Sequence, residues 1–231
     1  QLSKKLKEWE DDNAVERVIL LGEGNHFCAG GDVKSVHLSG PFSELKREFF
    51  SKEYSLNLQI KNFPKPYLSI WKGVVMGGGV GLSIYGDYRI ATDSTKFAMP
   101  ETSIGFFPDV GGSFFLSRME NNIGKYLGLT GELIQCKDLL NFGLATHYCP
   151  EDKLEILINQ YILDGSIVSH EIENSSSFSE EKLDFINKNF TGDIYAILKK
   201  ISAKQDQDNL LDRLLSKCPM SLAVTTLLIN N

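Results

Sequence analysis

PYLSIWKGVVMGGGVGLSIYGDYRIATD, residues 66–93, decides the fold. PYLSIWKGVV is an apolar run without polar alternation, the pattern of a strand buried on both faces. MGGGVGLSIYG follows as a glycine-rich turn entering a helix, and DYRIATD is the next strand. A strand that returns through a helix to another strand pairs with it in parallel, because parallel neighbours need a crossover.

The same alternation extends in both directions. Upstream, LSKKLKEWEDD carries Leu2, Leu6 and Trp9 on one helical face, RVILLGEG (17–24) is a short buried strand, and HFCAGGDVKS is a loop turning into a helix. Residues 43–62 repeat Leu45, Phe49, Leu56 and Ile60 at helical spacing until FPKP (63–66) breaks the helix. Downstream, TKFAMPET is a strand, IGFFPDVGGSFF a loop opening a helix, IGKYLGLTGELIQ and KDLLNFG helices with Gly143 as a C-cap, LATHYCP a short strand, and EDKLEILINQYIL a helix. The expected fold class is therefore α/β with a mostly parallel sheet. Residues 1–163 form the core, the serine-rich stretch 164–182 a polar loop or linker, and 183–231 a C-terminal helical segment. The chain starts at Gln1 and SLAVTTLLINN stops inside an apolar run, so it is expected to be truncated at both ends, with an exposed apolar patch from Ser221 to Ile229.

Composition removes several classes of function. With 42% hydrophobic residues the chain is globular, and a net charge of −6 without a basic stripe argues against nucleic acid as a partner. No run of eighteen apolar residues exists, so no membrane span is expected. Cys28, Cys136, Cys149 and Cys218 show neither CxxC nor metal-ligand spacing, and read as free thiols in a reducing compartment.

Three stretches carry candidate chemistry. HFCAGGD (26–32) and MGGGVG (76–81) each expose backbone N–H groups through glycines. PETSIGFFPDVGG (100–112) holds Glu101 and Asp109 beside glycine donors, as acid/base work at a carbonyl requires. Each stretch alone reads first as an ordinary turn. GLSIYG (81–86) lacks the G-x-S-x-G spacing of a serine nucleophile, and His147 reads as a packed histidine at a strand end.

In the order HFCAGGD, VVMGGGVGLSIYGDYRIAT, FAMPETSIGFFPDVGGSFFLSR, these stretches resemble the crotonase (enoyl-CoA hydratase/isomerase) superfamily, and FPDVGG resembles its branch of 3-hydroxyacyl-CoA thioester hydrolases. The resemblance implies a spiral of ββα units closed by C-terminal helices, with an acyl-CoA as the small-molecule partner. Gly31 and Gly78 would form the oxyanion hole, and Ala29, Gly30, Asp32, Val33 and Lys34 would follow the adenine and pantetheine end. Glu101 and Asp109 would be the catalytic carboxylates. Glu53 would face the acyl pocket.

The implied reaction is hydrolysis of a short, branched substrate, 3-hydroxyisobutyryl-CoA, in valine breakdown. No metal and no cofactor are implied, CoA being part of the substrate. A homo-oligomer is compatible, and the compartment would be mitochondrial in a eukaryote and cytoplasmic otherwise. Hydratases of the superfamily carry a glutamate where this chain has Gly81, which favours the hydrolase. An enoyl-CoA isomerase, and a non-catalytic member of a larger assembly, remain the alternatives.

Overall fold

The computed structural model describes residues 1–172, 176–204 and 209–230. It contains two compact units, Gln1–Phe97 with Gln135–Asn174, and Ala98–Ile134 with Ser175–Asn231. The described strands are β1 (Val18–Leu21), β2 (Tyr67–Trp71), β3 (Val74–Met76), β4 (Tyr88–Ala91), β5 (Lys96–Ala98), β6 (Ile134–Gln135) and β7 (His147–Tyr148).

In the first unit β1, β2, β4 and β7 form one sheet in that order, all pairs parallel. β2 is buried along its whole length. Leu68 and Ile70 pack on one side with Ile90, Cys149, Leu157 and Tyr161, the last two from helix Leu154–Asp164. Tyr67 packs with Leu6, Val18 and Ile60, where helices Leu2–Asp11 and Glu44–Lys61 meet. Each such apolar side chain contributes about 1.5–3 kcal/mol on burial. Lys72 and Gly73 bend the single run expected at PYLSIWKGVV into two strands, and β3 joins a second sheet beside β5. The turns β2–β3 and β4–β5 thus give one strand to each sheet. The chain leaves the first unit through β5 and re-enters it through β6.

The partition differs from the linear one expected at 163 and 183. Residues 98–134 group with the C-terminal helices because helix Ile123–Thr130 packs on helix Pro219–Asn230. A Cβ at Gly128 would lie 3.1 Å from Ile229 Cδ1 and 3.4 Å from Thr225 Cγ2. The expected apolar patch is accordingly corrected. Ser221, Leu222, Thr225, Thr226 and Ile229 are buried, and the large apolar side chains of that helix left exposed are Met220, Leu227 and Leu228. The helix expected across IGKYLGLTGELIQ ends at Thr130, where Gly131 turns left-handed, and ELIQ continues into β6.

Within the expected linker, Ser166 to His170 runs beside β7, the His170 N–H donating to the Tyr148 carbonyl (3.0 Å) and the Tyr148 N–H to Ser169 Oγ (3.3 Å). Residues 173–175 of that linker, and 205–208 and 231 of the expected helical segment, lie outside the described residues. Ser179 caps the next helix, Glu180–Asn189, slightly before the expected start at Leu183.

The second unit is tied together by Glu132. Its carboxylate accepts from Lys182 Nζ (2.7 Å), Arg213 Nη2 (2.7 Å) and the Tyr126 hydroxyl. Burial pushes this carboxyl up, but the hydrogen bonds from Lys182, Tyr126 and Arg213 outweigh it and hold it below the usual range. Removing one member of a half-buried ionic cluster weakens the others, and solvent screens part of the effect, so Glu132→Ala is expected to cost roughly 1–2 kcal/mol. A carboxylate lowered in the folded state stabilises above its unfolded value and stops doing so as pH falls through the folded one. Chemical denaturation at pH 7 and at pH 3 should show the wild-type advantage over Glu132→Ala at pH 7 and its shrinkage at pH 3. A constant gap would show that packing, not charge, ties this cluster.

Candidate active site

The site in the first unit is built from two main-chain segments and one helix. Cys28 bridges Val75 of β3 in parallel fashion: its N–H donates to the Val74 carbonyl and its carbonyl accepts from the Met76 N–H, both at 3.0 Å. This lays CAGG (28–31) against MGGG (76–79). Gly77 takes φ 50 and ψ −122, a conformation closed to residues with a Cβ, and turns the chain into the short helix Gly78–Gly81. Gly79 then packs directly on Cys28. A Cβ there would stand 2.5 Å from the Cys28 carbonyl oxygen and 2.7 Å from its Cβ.

The result is a close pair of glycine backbones. A Cβ at Gly78 would lie 3.2 Å from the Gly31 nitrogen, and one at Gly30 would lie 3.8 Å from the Gly78 nitrogen. Neither the Gly31 nor the Gly78 N–H donates to a backbone carbonyl among the described residues. Two main-chain donors in such proximity can hold one developing oxyanion.

Helix Glu44–Lys61 supplies the side chains. Ser43 caps it through the Leu45 N–H (3.2 Å), and Lys61 falls in its last turn, near the negative end. Phe49 and Glu53, one turn apart, share a face. The tip of the Phe49 ring lies 2.5 Å from where a Gly31 Cβ would be, and Glu53 Oε1 lies 2.6 Å from the corresponding point on Gly78. A cavity of about 510 Å3 opens beside them, its walls including Cys28, Leu45, Leu56 and Leu82.

Among the expected binding residues, Gly30, Gly31, Gly78 and Glu53 come together here. Asp32 instead caps helix Val33–Leu38. It accepts from the Ser35 hydroxyl (2.6 Å) and N–H (3.0 Å), which hold its carboxyl below the usual range. Ala29, Val33 and Lys34 are exposed. His26 Nδ1 accepts from the Val74 N–H (3.3 Å), so this histidine serves the turn. His147 is half-buried on Thr146 Oγ1 (2.9 Å). Burial, then the nearby Arg89, lowers its basicity, in keeping with a packed histidine. Cys28, a free thiol, is half-buried and lines the cavity. Phe49 was legible only as an apolar helix position, although its spacing from Glu53 placed both on one face.

Glu101 and Asp109 belong to the second unit. Glu101 is 5% exposed and opens the 3-10 turn Glu101–Ile104, its carbonyl accepting from the Phe106 N–H (3.0 Å). The turn is anchored by Thr102, whose hydroxyl donates to the Leu129 carbonyl (3.2 Å) and whose carbonyl accepts from the Cys218 N–H (3.3 Å). Asp109 is half-buried, and its carbonyl accepts from the Gly112 N–H (2.6 Å). Between them Val110 has φ 45 while only 2% exposed. A β-branched residue in the left-handed region costs about 1–3 kcal/mol and persists only where the surroundings impose it, commonly at functional turns.

The sequence model of the family described as enoyl-CoA hydratase/isomerase matches residues 1–231. A Danio rerio protein named "3-hydroxyisobutyryl-CoA hydrolase, mitochondrial" is 38% identical over 215 residues, covering 92% of this chain and 53% of the relative. An Arabidopsis thaliana protein named "Probable 3-hydroxyisobutyryl-CoA hydrolase 3" is 46% identical over 169 residues, covering 72% and 44%. The chain thus spans about half the length of the curated relatives it matches. Among solved structures, a carnitinyl-CoA dehydratase from Mycobacterium thermoresistibile superposes with a TM-score of 0.91 at 35% identity, covering 99% of this chain and 70% of that one. An enoyl-CoA hydratase from Rhodobacter sphaeroides 2.4.1 superposes with a TM-score of 0.92 at 31% identity, covering 99% and 69%. The architecture is the crotonase fold.

The glycines differ in what surrounds them, and substitution should separate them. Gly79→Ala drives a methyl into the Cys28 main chain, which cannot yield without breaking the bridge to β3. An overpacked site of this kind costs roughly 2 kcal/mol, or about 4–8 °C in melting temperature at this size. Gly78→Ala meets first the far end of the flexible Glu53 side chain, and its melting point should stay within about 2 °C of wild type, under a kcal/mol for a chain this long. Equal melting points for both variants would contradict the close main-chain approach at Gly79.

Proposed function

The chain belongs to the enoyl-CoA hydratase/isomerase family, and on that premise we propose that the protein hydrolyses the thioester of 3-hydroxyisobutyryl-CoA to the free acid and CoA. One observation carries the reading: the glycine pair Gly31 and Gly78 meets the Glu53 carboxylate at the edge of an apolar cavity. The names of the Danio rerio and Arabidopsis thaliana relatives support it.

In this mechanism the thioester oxygen accepts from the Gly31 and Gly78 N–H groups. Water adds to the carbonyl carbon, the oxygen gains negative charge, and each main-chain donor stabilises it by about 2.7–4 kcal/mol. Glu53 accepts a hydrogen bond from the 3-hydroxyl and so selects for it. The family pattern assigns Glu101 the task of taking the proton from water, or of attacking the carbonyl with loss of the thiolate to form a short-lived anhydride that water then opens, releasing the acid and restoring the Glu101 carboxylate. It assigns Asp109 the orientation of water or substrate, or assistance to the leaving thiolate. Collapse of the tetrahedral adduct breaks the C–S bond, and the thiolate of CoA leaves and takes up a proton. The reaction calls for no cofactor beyond the CoA carried by the substrate. Its place would be valine breakdown, and in a eukaryote the mitochondrion, the compartment in the names of the Danio rerio and Rattus norvegicus relatives.

Gly81 stands where hydratases of the family carry a glutamate, so a second carboxylate to hold the water for addition across a double bond is missing at that position. Full-length protein should release thiol from 3-hydroxyisobutyryl-CoA while leaving the enoyl absorbance of crotonyl-CoA unchanged. Substantial hydration would return it to the hydratases, and double-bond migration in a 3-enoyl-CoA without thiol release would make it an isomerase.

Two variants test the assigned roles. Glu101→Gln should lower kcat by roughly 100-fold or more with CoA binding nearly unchanged, whereas equal loss of binding and turnover would indicate a structural role. Glu53→Gln should raise KM for 3-hydroxyisobutyryl-CoA more than for isobutyryl-CoA. An equal rise for both would remove Glu53 from hydroxyl recognition.

A further inference from the structure

We propose that Phe49 sets the size of the acyl group the site accepts. The inference rests on the thioesterase reading above and adds a selectivity determinant that reading does not contain.

The argument begins with helix Glu44–Lys61. Leu45, Phe49, Glu53 and Leu56 recur at intervals of three and four residues, so one stripe of the helix faces the cavity. Along it the chemistry changes in a single turn. Glu53 brings a carboxylate oxygen against Gly78, and Phe49 brings the tip of an aromatic ring against Gly31. The ring meets Gly31 end-on: Cζ lies 2.5 Å from the Cβ point, and Cε1 and Cε2 both lie 3.4 Å from it. An oxygen held by the Gly31 and Gly78 N–H groups places its carbonyl carbon, and the first atoms of the acyl chain, beside both glycines. On the Gly78 side those atoms face an anionic acceptor. On the Gly31 side they face the tip of an aromatic ring, which narrows the cavity at the glycine.

A short acyl group with an apolar branch and one hydroxyl matches this pair of walls. A longer chain has to displace the ring. Phe49 is edge-packed on Phe50 (centroids 5.3 Å apart, planes at 88°), and Phe50 is in turn tilted against Tyr54 (5.9 Å), so the ring is backed by aromatic neighbours. Phe49 is thus a specificity residue by contact with the acyl group.

The test uses the full-length protein with Phe49→Ala, Phe49→Leu and Phe49→Trp, each checked for a wild-type-like circular dichroism spectrum. Thiol release is measured with 3-hydroxyisobutyryl-, 3-hydroxyhexanoyl- and 3-hydroxyoctanoyl-CoA. A wall that discriminates by methylene groups is worth about 10–200-fold. Phe49→Ala should therefore raise the ratio of kcat/KM for the longer substrates over the branched one by about tenfold or more. Phe49→Leu should raise it less, and Phe49→Trp should lower it. A uniform loss on all three substrates, with the ratio unchanged in every folded variant, overturns the proposal and leaves Phe49 a packing residue. If the wild type releases no thiol, the thioesterase reading fails by itself. The same substrates are then titrated calorimetrically, and an unchanged ratio of dissociation constants between wild type and variants overturns the size wall independently.

Discussion

The contact on which the site depends is main chain against main chain, where Cys28 bridges Val75 and the Cys28 carbonyl faces Gly79. Backbone position here is set by a parallel ladder of two 3.0 Å hydrogen bonds, not by adjustable side chains. Donors fixed in this way need no reorganisation when charge develops on a bound oxygen, which is the physical basis of oxyanion stabilisation. The cost is borne by composition. Only glycine allows the turn at Gly77 and the approach at Gly79, and a side chain at either place would push the two segments apart.

The rest of the first unit holds that contact still. β2 leads into β3 through Lys72 and Gly73, and β2 is buried along its length between the Leu68, Ile70 and Tyr161 cluster and the Leu6, Ile60 and Tyr67 cluster. A strand packed on both sides cannot slide without exposing apolar surface on one of them. Helix Glu44–Lys61 serves twice: Ile60 secures it to the core, and the stripe Phe49–Glu53 forms the wall of the site.

The two carboxylates assigned by the family pattern are held by a different device. Glu101 sits in a short buried turn secured through Thr102 to Leu129 and Cys218, and Asp109 precedes a valine forced into a left-handed conformation. Strain at Val110 is tolerated because its side chain is buried, so relaxing the backbone would extract an apolar group. The Glu132 cluster with Tyr126, Lys182 and Arg213 stabilises the same unit from charged groups.

Local pattern determined much of this protein. The apolar run at 66–75, the glycines at 77–79 and the alternation of strands and helices are decisions made by neighbouring residues, and they specified an α/β chain with parallel pairing. Cap and breaker residues likewise marked helix Glu44–Lys61, because Ser43 and the FPKP stretch act within one turn. Other features required distant residues to meet. Ile134–Gln135 became β6 rather than the end of a helix because β5 offers it a partner in the second sheet. Residues 98–134 joined the C-terminal helices because Gly128 admits Thr225 and Ile229 of helix Pro219–Asn230 into close contact. The sequence placed Gly31, Gly78, Phe49 and Glu53 in three separate stretches. Only the tertiary structure set the ring on one glycine and the carboxylate on the other, since proximity across forty-odd residues follows from how sheet and helix pack and from nothing in the spacing itself.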